Sequence, residues 1–168
     1  EKQVKESPVC GKSHHDTEEE YGDIQGLKTA VEETPYIKCI EVHHDGKEIY
    51  GYQMYYYFNN YAAEEALWLE YAPGRAVLAR QLEPTEYICS AGGRFDKVCR
   101  QLWFKTNTDR VISFGSQGDA EGTPKTFDTS LAEKPLIVAL GVGMGGSVHH
   151  ARVYYLDLLN LPLIPTIQ

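Results

Sequence analysis

The sequence lacks any apolar run near the roughly 20 residues that cross a bilayer; its longest, Pro135 to Val142, is the length of a strand. It also lacks basic excess. Against 24 acidic residues stand 16 lysines and arginines, a formal charge of −8, which argues against a nucleic-acid ligand, because phosphate backbones demand clustered positive charge. No C-x-x-C pair occurs among Cys10, Cys39, Cys89 and Cys99, so neither a zinc knuckle nor a thioredoxin-type redox motif is offered. No N-x-S/T sequon is present, and no G-x-S-x-G, S-x-x-K or H-E-x-x-H frame marks a catalytic centre. Starting at Glu1 with no Met and no apolar leader, the chain reads as a processed or recombinant mature chain.

What remains fits one compact domain of 168 residues with 42% hydrophobic content and an excess of tyrosine, 12 against 5 Phe and 2 Trp. Acid is concentrated at the front. Residues 1 to 34 hold nine acids against four lysines, and only Val4, Val9 and Cys10 in the first 20 residues suit a core. Residues 1–20 therefore read as an acidic N-terminal extension and residues 21–168 as the folded domain.

From Pro35 onward, short β-rich runs alternate with turn residues. Tyr36 to His43 and Glu48 to Phe58 flank Asp45-Gly46, a hairpin signal. Further runs lie at Ala76 to Leu82, Glu86 to Ser90, Val98 to Thr106, Arg110 to Gly115, Thr126 to Ser130, Leu136 to Val142 and His150 to Leu158. Ala63 to Tyr71 is open between strand and short helix. The spacing predicts an all-β sandwich or barrel-like prism.

Four widely spaced cysteines read as disulfides in an oxidising, secreted setting. A hairpin would bring Cys89 and Cys99 together. Cys10 would then pair with Cys39 or with another subunit; the spacing leaves both open.

Three motifs are weaker than they look. Gly141, Gly143 and Gly146 satisfy G-x-G-x-x-G, yet the following segment reads as a strand rather than a helix, so the context of a dinucleotide site fails and a glycine-rich loop between strands is expected. The histidines fall in adjacent pairs, His14-His15, His43-His44 and His149-His150; neighbours on a strand face opposite ways and rarely share a metal. The run Asp16 to Glu20 with Asp23 lacks the D-x-D-x-D-G spacing of a calcium loop and reads as solvated.

The strand motifs in order resemble the jacalin-related lectin family. Tyr36 to Val42 with Ile49 to Gln53 resembles its opening strands, and Leu82-Glu83-Pro84-Thr85-Glu86-Tyr87-Ile88 resembles its L-x-P-G-E-Y-I. Leu102 to Asn107, Arg110 and Phe114-Gly115 are similar to its central strands, and Gly141 to Leu158 to its final loop and strand. Secreted animal members, of zymogen granule and molluscan type, resemble the chain most. The resemblance implies β-prism I, three four-stranded antiparallel sheets about a pseudo-threefold axis. It further implies a secreted lectin without catalysis or cofactor, binding glycans or glycoproteins and oligomeric, homo- or hetero-, with a link through Cys10.

Carried onto this sequence, the family's sugar site falls on Gly22 and Asp23, on the loop with Gly93, Arg94, Phe95 and Asp96, and on Gly145, Gly146, Ser147, Val148, His149 and His150. Glycine amides and a carboxylate would take up sugar hydroxyls while the Phe95 ring covers the apolar sugar face. His150 stands where the family has an Asp, leaving Asp96 to supply the carboxylate. A chain uncut before the site implies mannose or glucose rather than galactose. The alternative is a structural or assembly subunit whose sugar site has degenerated.

Overall fold

The computed structural model describes residues 4–11, 19–21, 36–56, 76–115, 122–144 and 147–160. The open segment Ala63 to Tyr71 lies outside them. Twelve strands are described: β1 (Lys5–Glu6), β2 (Cys10–Gly11), β3 (Glu19–Tyr21), β4 (Ile37–His44), β5 (Ile49–Tyr56), β6 (Ala76–Gln81), β7 (Ile88–Phe95), β8 (Cys99–Thr106), β9 (Val111–Gly115), β10 (Thr123–Thr126), β11 (Pro135–Met144) and β12 (Val148–Asp157). A 3-10 turn, Leu158–Asn160, follows.

All pairings among these strands are antiparallel, and they form three sheets. The first runs β1-β12-β11-β3. β2 pairs with the same edge of β12 further along, with Lys5 opposite Tyr155 and Cys10 opposite Ala151. β1, β2 and the first two residues of β3 thus come from the segment expected as an acidic extension. The second sheet runs β5-β4-β6 and the third β10-β7-β8-β9, so the described residues give three sheets but not three equal ones.

Alternation decides which side chains face inward. On β4 and β5, Ile40, Val42, Ile49, Tyr52, Met54 and Tyr56 are buried, while Glu41, His43, Tyr50, Gln53 and Tyr55 lie on the half-exposed face. Their connection is the expected Asp45-Gly46 turn. Gly46 has φ +86°, and Asp45 Oδ1 accepts the N–H groups of Lys47 and Glu48, both at 2.8 Å. One core draws on all three sheets, including Ile40 and Met54, Leu102 and Phe104, and Leu140, Val153 and Tyr155. Tyrosine hydroxyls join sheets: Tyr52 donates to the Leu140 carbonyl, and Tyr56 to the Val138 carbonyl at 2.6 Å. Both acceptors lie in the stretch of β11 that β3 does not cover, since β3 pairs only with Val142 to Met144.

The cysteine pairing expected from the hairpin is corrected. Strand β7 runs through Ala91-Gly92-Gly93 to Phe95, and its register sets Phe95 opposite Cys99 but Ile88 and Ser90 opposite Thr106 and Lys105. Cys89 therefore sits at the far end of the hairpin from Cys99. Cys10 lies beside β12 and Cys39 between Tyr55 and Gln81 in another sheet; all four are free thiols. Burial pushes the Cys99 thiol far above its usual range.

Candidate functional site

One hairpin turn from each sheet reaches the same end of the prism. These are the β4–β5 turn (residues 45–48), the β7–β8 turn (96–98) and the β11–β12 connection, of which Ser147 is described. Cross-links show that they meet. Arg100 Nη1 donates to the Lys47 carbonyl at 3.4 Å, and Ser147 Oγ donates to Glu48 Oε1 at 3.4 Å. The N-terminal strand closes the group: a Cβ on Gly11 would come within 2.6 Å of the His149 carbonyl and 2.9 Å of both His150 Cα and Phe95 Cδ1. With φ +94° at residue 11, only glycine fits this close approach without strain.

Three carboxylates face this end in two environments. Burial alone would raise the Asp96 carboxyl. Hydrogen bonds from Arg100 Nε at 2.9 and 3.1 Å and from the Val98 N–H, with the Arg100 charge, hold it below the usual range. Asp45 is likewise held low against its burial, by the N–H groups of Glu48 and Lys47 and by the Tyr50 hydroxyl. That hydroxyl lies 2.9 Å from Asp45 Oδ2 and 3.1 Å from Glu48 Oε2. Its one proton serves two acceptors. Burial first, then these two carboxylates, push the phenol up to about 12. Among the described residues no cation pairs with Asp45 or Glu48, so this pair presents acceptors where Asp96 does not.

The residues expected to bind sugar are distributed differently from a set of loops. Gly22, Asp23, Gly145 and Gly146 lie outside the described residues. Gly93 is a buried strand residue opposite Leu102, and a Cβ there would meet the Gln101 carbonyl at 2.3 Å. Arg94 donates to the Gly122 carbonyl at 3.3 Å. The Phe95 ring, expected to cover a sugar, is 5% exposed and packs edge-on against Phe127 at 6.3 Å in the core. Val148 is fully buried; Ser147, His149 and His150 are buried at the site's floor. Gly141 and Gly143, read as loop glycines, lie within β11. Gly143 is opposite His150, whose ring occupies the space a Cβ would need, at 2.0 Å from Cε1.

Sequence reasoning missed Gly11, Glu48, Asp45 and Tyr50. The Asp45-Gly46 turn was a visible signal for a hairpin, but its meeting with Ser147, 99 residues along the chain from Glu48, is tertiary information.

The profile of the jacalin-like lectin domain family matches residues 11–150, beginning on Gly11. Against curated protein sequences the chain has no significant match. Among solved structures, frutapin, a lectin from Artocarpus incisa, is similar with a TM-score of 0.65 at 21% identity, over 92% of this chain and 97% of that one. The mannose-binding lectin from champedak has a TM-score of 0.64 at 23% identity, over 91% and 97%. A prostate-specific WGA16 glycoprotein lectin has 0.64 at 16%, over 88% and 97%. Identities this low establish the fold, while the profile match spans most of the chain. The chain belongs to the jacalin-like lectin domain family, a β-prism I protein of a non-catalytic, carbohydrate-binding kind.

Proposed function

We propose that the chain binds mannose- or glucose-type glycans at the end of the prism where the three hairpin turns meet. The observation that carries this reading is the contact of Ser147 with Glu48, which brings to the start of β12 a carboxylate that no cation among the described residues pairs with. Adjacent sugar hydroxyls need acceptors, and carboxylate oxygens accept without competing protons. His150 offers little in that role, because its ring is 7% exposed and laid on Gly143. Glu48 and Asp45 take the place of the Asp that the family has at this position. The preference for mannose is supported by the chain's continuity through Cys10 and Gly11, which puts a peptide bond rather than a free amino group beside His150.

The test is a glycan array followed by calorimetry with methyl α-mannoside as competitor. Binding is expected to oligomannose probes, to be displaced by the free glycoside and to fall at least tenfold in Glu48→Gln. Silence on every glycan sinks the reading and favours the assembly role on the same scaffold.

A further inference from the structure

The two histidines that end β4 face opposite ways, and the inward one holds the turn beside it. His43 lies on the half-exposed face, its Nε2 3.3 Å from Glu41 Oε1. His44 is 8% exposed and stands opposite Ile49 of β5 and Ala76 of β6. The Gly46 N–H donates to its Nδ1 at 3.0 Å. A backbone N–H can only donate, so Nδ1 is the accepting nitrogen; the ring is neutral and carries its proton on Nε2. That buried Nε2 makes no hydrogen bond among the described residues, which leaves Nδ1 as the ring's polar anchor there.

Three successive N–H groups of the turn are each taken by a side chain: Gly46 by His44, and Lys47 and Glu48 by Asp45 Oδ1 at 2.8 Å. The backbone bond that closes the turn, from the Asp45 N–H to the Glu48 carbonyl, is the longest of the four at 3.3 Å. Side-chain acceptors therefore set the path of residues 45–48, and with it the position of the Asp45 and Glu48 carboxylates.

Protonation of His44 removes one of these acceptors. An imidazolium donates from both nitrogens, so its Nδ1–H would meet the Gly46 N–H head on and the two must part. Burial disfavours the charged ring and lowers its pKa from the usual 6.5, while the Asp45 carboxylate works the other way. The neutral ring is thus favoured in the folded chain, and its acceptor is lost as pH falls from 6.5 through that lower value. The other titratable groups at this end have partners or positions of their own. Glu48 is engaged by Tyr50 and Ser147, and Arg100 by Asp96. Lys47 stands on the turn itself, and His149 and His150 are buried on β12. β6 sets the uncharged Ala76 opposite His44, and β9 carries no ionisable side chain.

We propose that His44 is a positioning residue for the glycan end: neutral, it holds the β4–β5 turn in the form that presents Asp45 and Glu48, and its protonation releases the turn and weakens glycan binding in acid. The proposal rests on the glycan reading above and adds a control to it.

The experiment uses the full chain with isotope-labelled histidine rings, followed by NMR, and calorimetry with methyl α-mannoside at about pH 7.5 and at one unit below the His44 midpoint that NMR finds. At the higher pH the His44 ring is expected to carry its proton on Nε2, and the Gly46 amide resonance is expected to move with the ring's own midpoint; this arm needs no variant. His44→Ala is expected to weaken binding about fivefold at pH 7.5, the scale of one hydrogen bond. His44→Asn, whose side-chain oxygen stands where Nδ1 stood and does not titrate, is expected to recover most of that loss. On acidification the parent is expected to lose about fivefold more affinity than the Asn variant, contributions from the other titrating groups being common to both. A ring protonated at Nδ1 at pH 7.5, a ring that stays neutral until the chain unfolds, an unmoved Gly46 amide, or an Asn variant with the parent's full pH dependence overturns the positioning role and leaves the lectin reading standing. Absence of binding by the parent at pH 7.5 overturns both.

Discussion

Glu86 is the sharpest test of how this prism is held together. Its carboxylate is 2% exposed and fully engaged: Arg110 Nη2 donates to Oε1 at 2.7 Å and Arg110 Nε to Oε2 at 3.0 Å, Thr108 Oγ1 donates to Oε2 at 2.9 Å, and the Glu83 N–H donates to Oε1 at 3.0 Å. Burial works to raise its pKa, but the hydrogen bonds, led by Arg110, outweigh it and hold the group at about 2 rather than 4.5. A carboxyl depressed this far on folding contributes about 3 kcal/mol at neutral pH. The Arg110 side chain is 42% exposed, so solvent screens part of the attraction and about 2 to 3 kcal/mol is the working figure.

The depressed folded pKa fixes the direction of the pH effect. The contribution is complete above the unfolded value of 4.5 and is lost as pH falls through about 2. Glu86→Gln keeps the shape and removes the charge. Urea unfolding followed by circular dichroism is expected to show the variant about 2 to 3 kcal/mol less stable than the parent at pH 7, with the gap closing as pH approaches 2. A gap that stays constant from pH 7 to pH 2 would refute the reasoning, since it would assign the effect to packing rather than charge.

Three further outcomes are expected. Gly143→Ala drives a methyl into the His150 ring and should destabilise by about 1 to 3 kcal/mol; combined with His150→Ala, most of that loss should vanish, and simple additivity in urea melts would count against the ring's position. Tyr56→Phe removes the donor to the Val138 carbonyl and should cost about 1 kcal/mol in thermal unfolding, an unchanged midpoint arguing that water replaces it. Thiol titration of unreduced protein in guanidinium should count four reactive cysteines, and a count of two or none would restore a disulfide.

The sheets were legible because period-two alternation and turn residues are local signals. Ile37 to Tyr56 reads as a hairpin from its own residues, and Asp45-Gly46 fixes where it bends. The glycines were misleading for a physical reason. Glycine is frequent in turns, so Gly93 and the pair Gly141 and Gly143 read as loop residues, yet they sit inside strands, as does Gly92. A Cβ on Gly92 would meet the Trp103 ring at 2.3 Å, one on Gly141 the Tyr154 ring at 2.9 Å and one on Gly143 the His150 ring. The residue is small because a neighbouring strand's ring lies over it, which no window of sequence reveals. Strands β1 and β2 were illegible for another reason: two residues each carry no periodicity, and β12 supplies the partner that makes them strands.

The same glycine logic bears on the site. A histidine at position 150 is a strand ring lodged on Gly143. On the glycan reading proposed above, the β4–β5 turn of another sheet supplies two acceptors, Asp45 and Glu48. Tyr50 cannot satisfy both Asp45 and Glu48 with one proton, so at least one carboxylate retains a lone pair without an O–H donor from it. Ser147 reaches Glu48 only at 3.4 Å, near the limit for such a bond, and a ligand hydroxyl at a shorter distance would displace little. On that same proposed reading, the hydroxyl acceptor then sits on the turn of a neighbouring sheet, at the same end of the prism as Ser147.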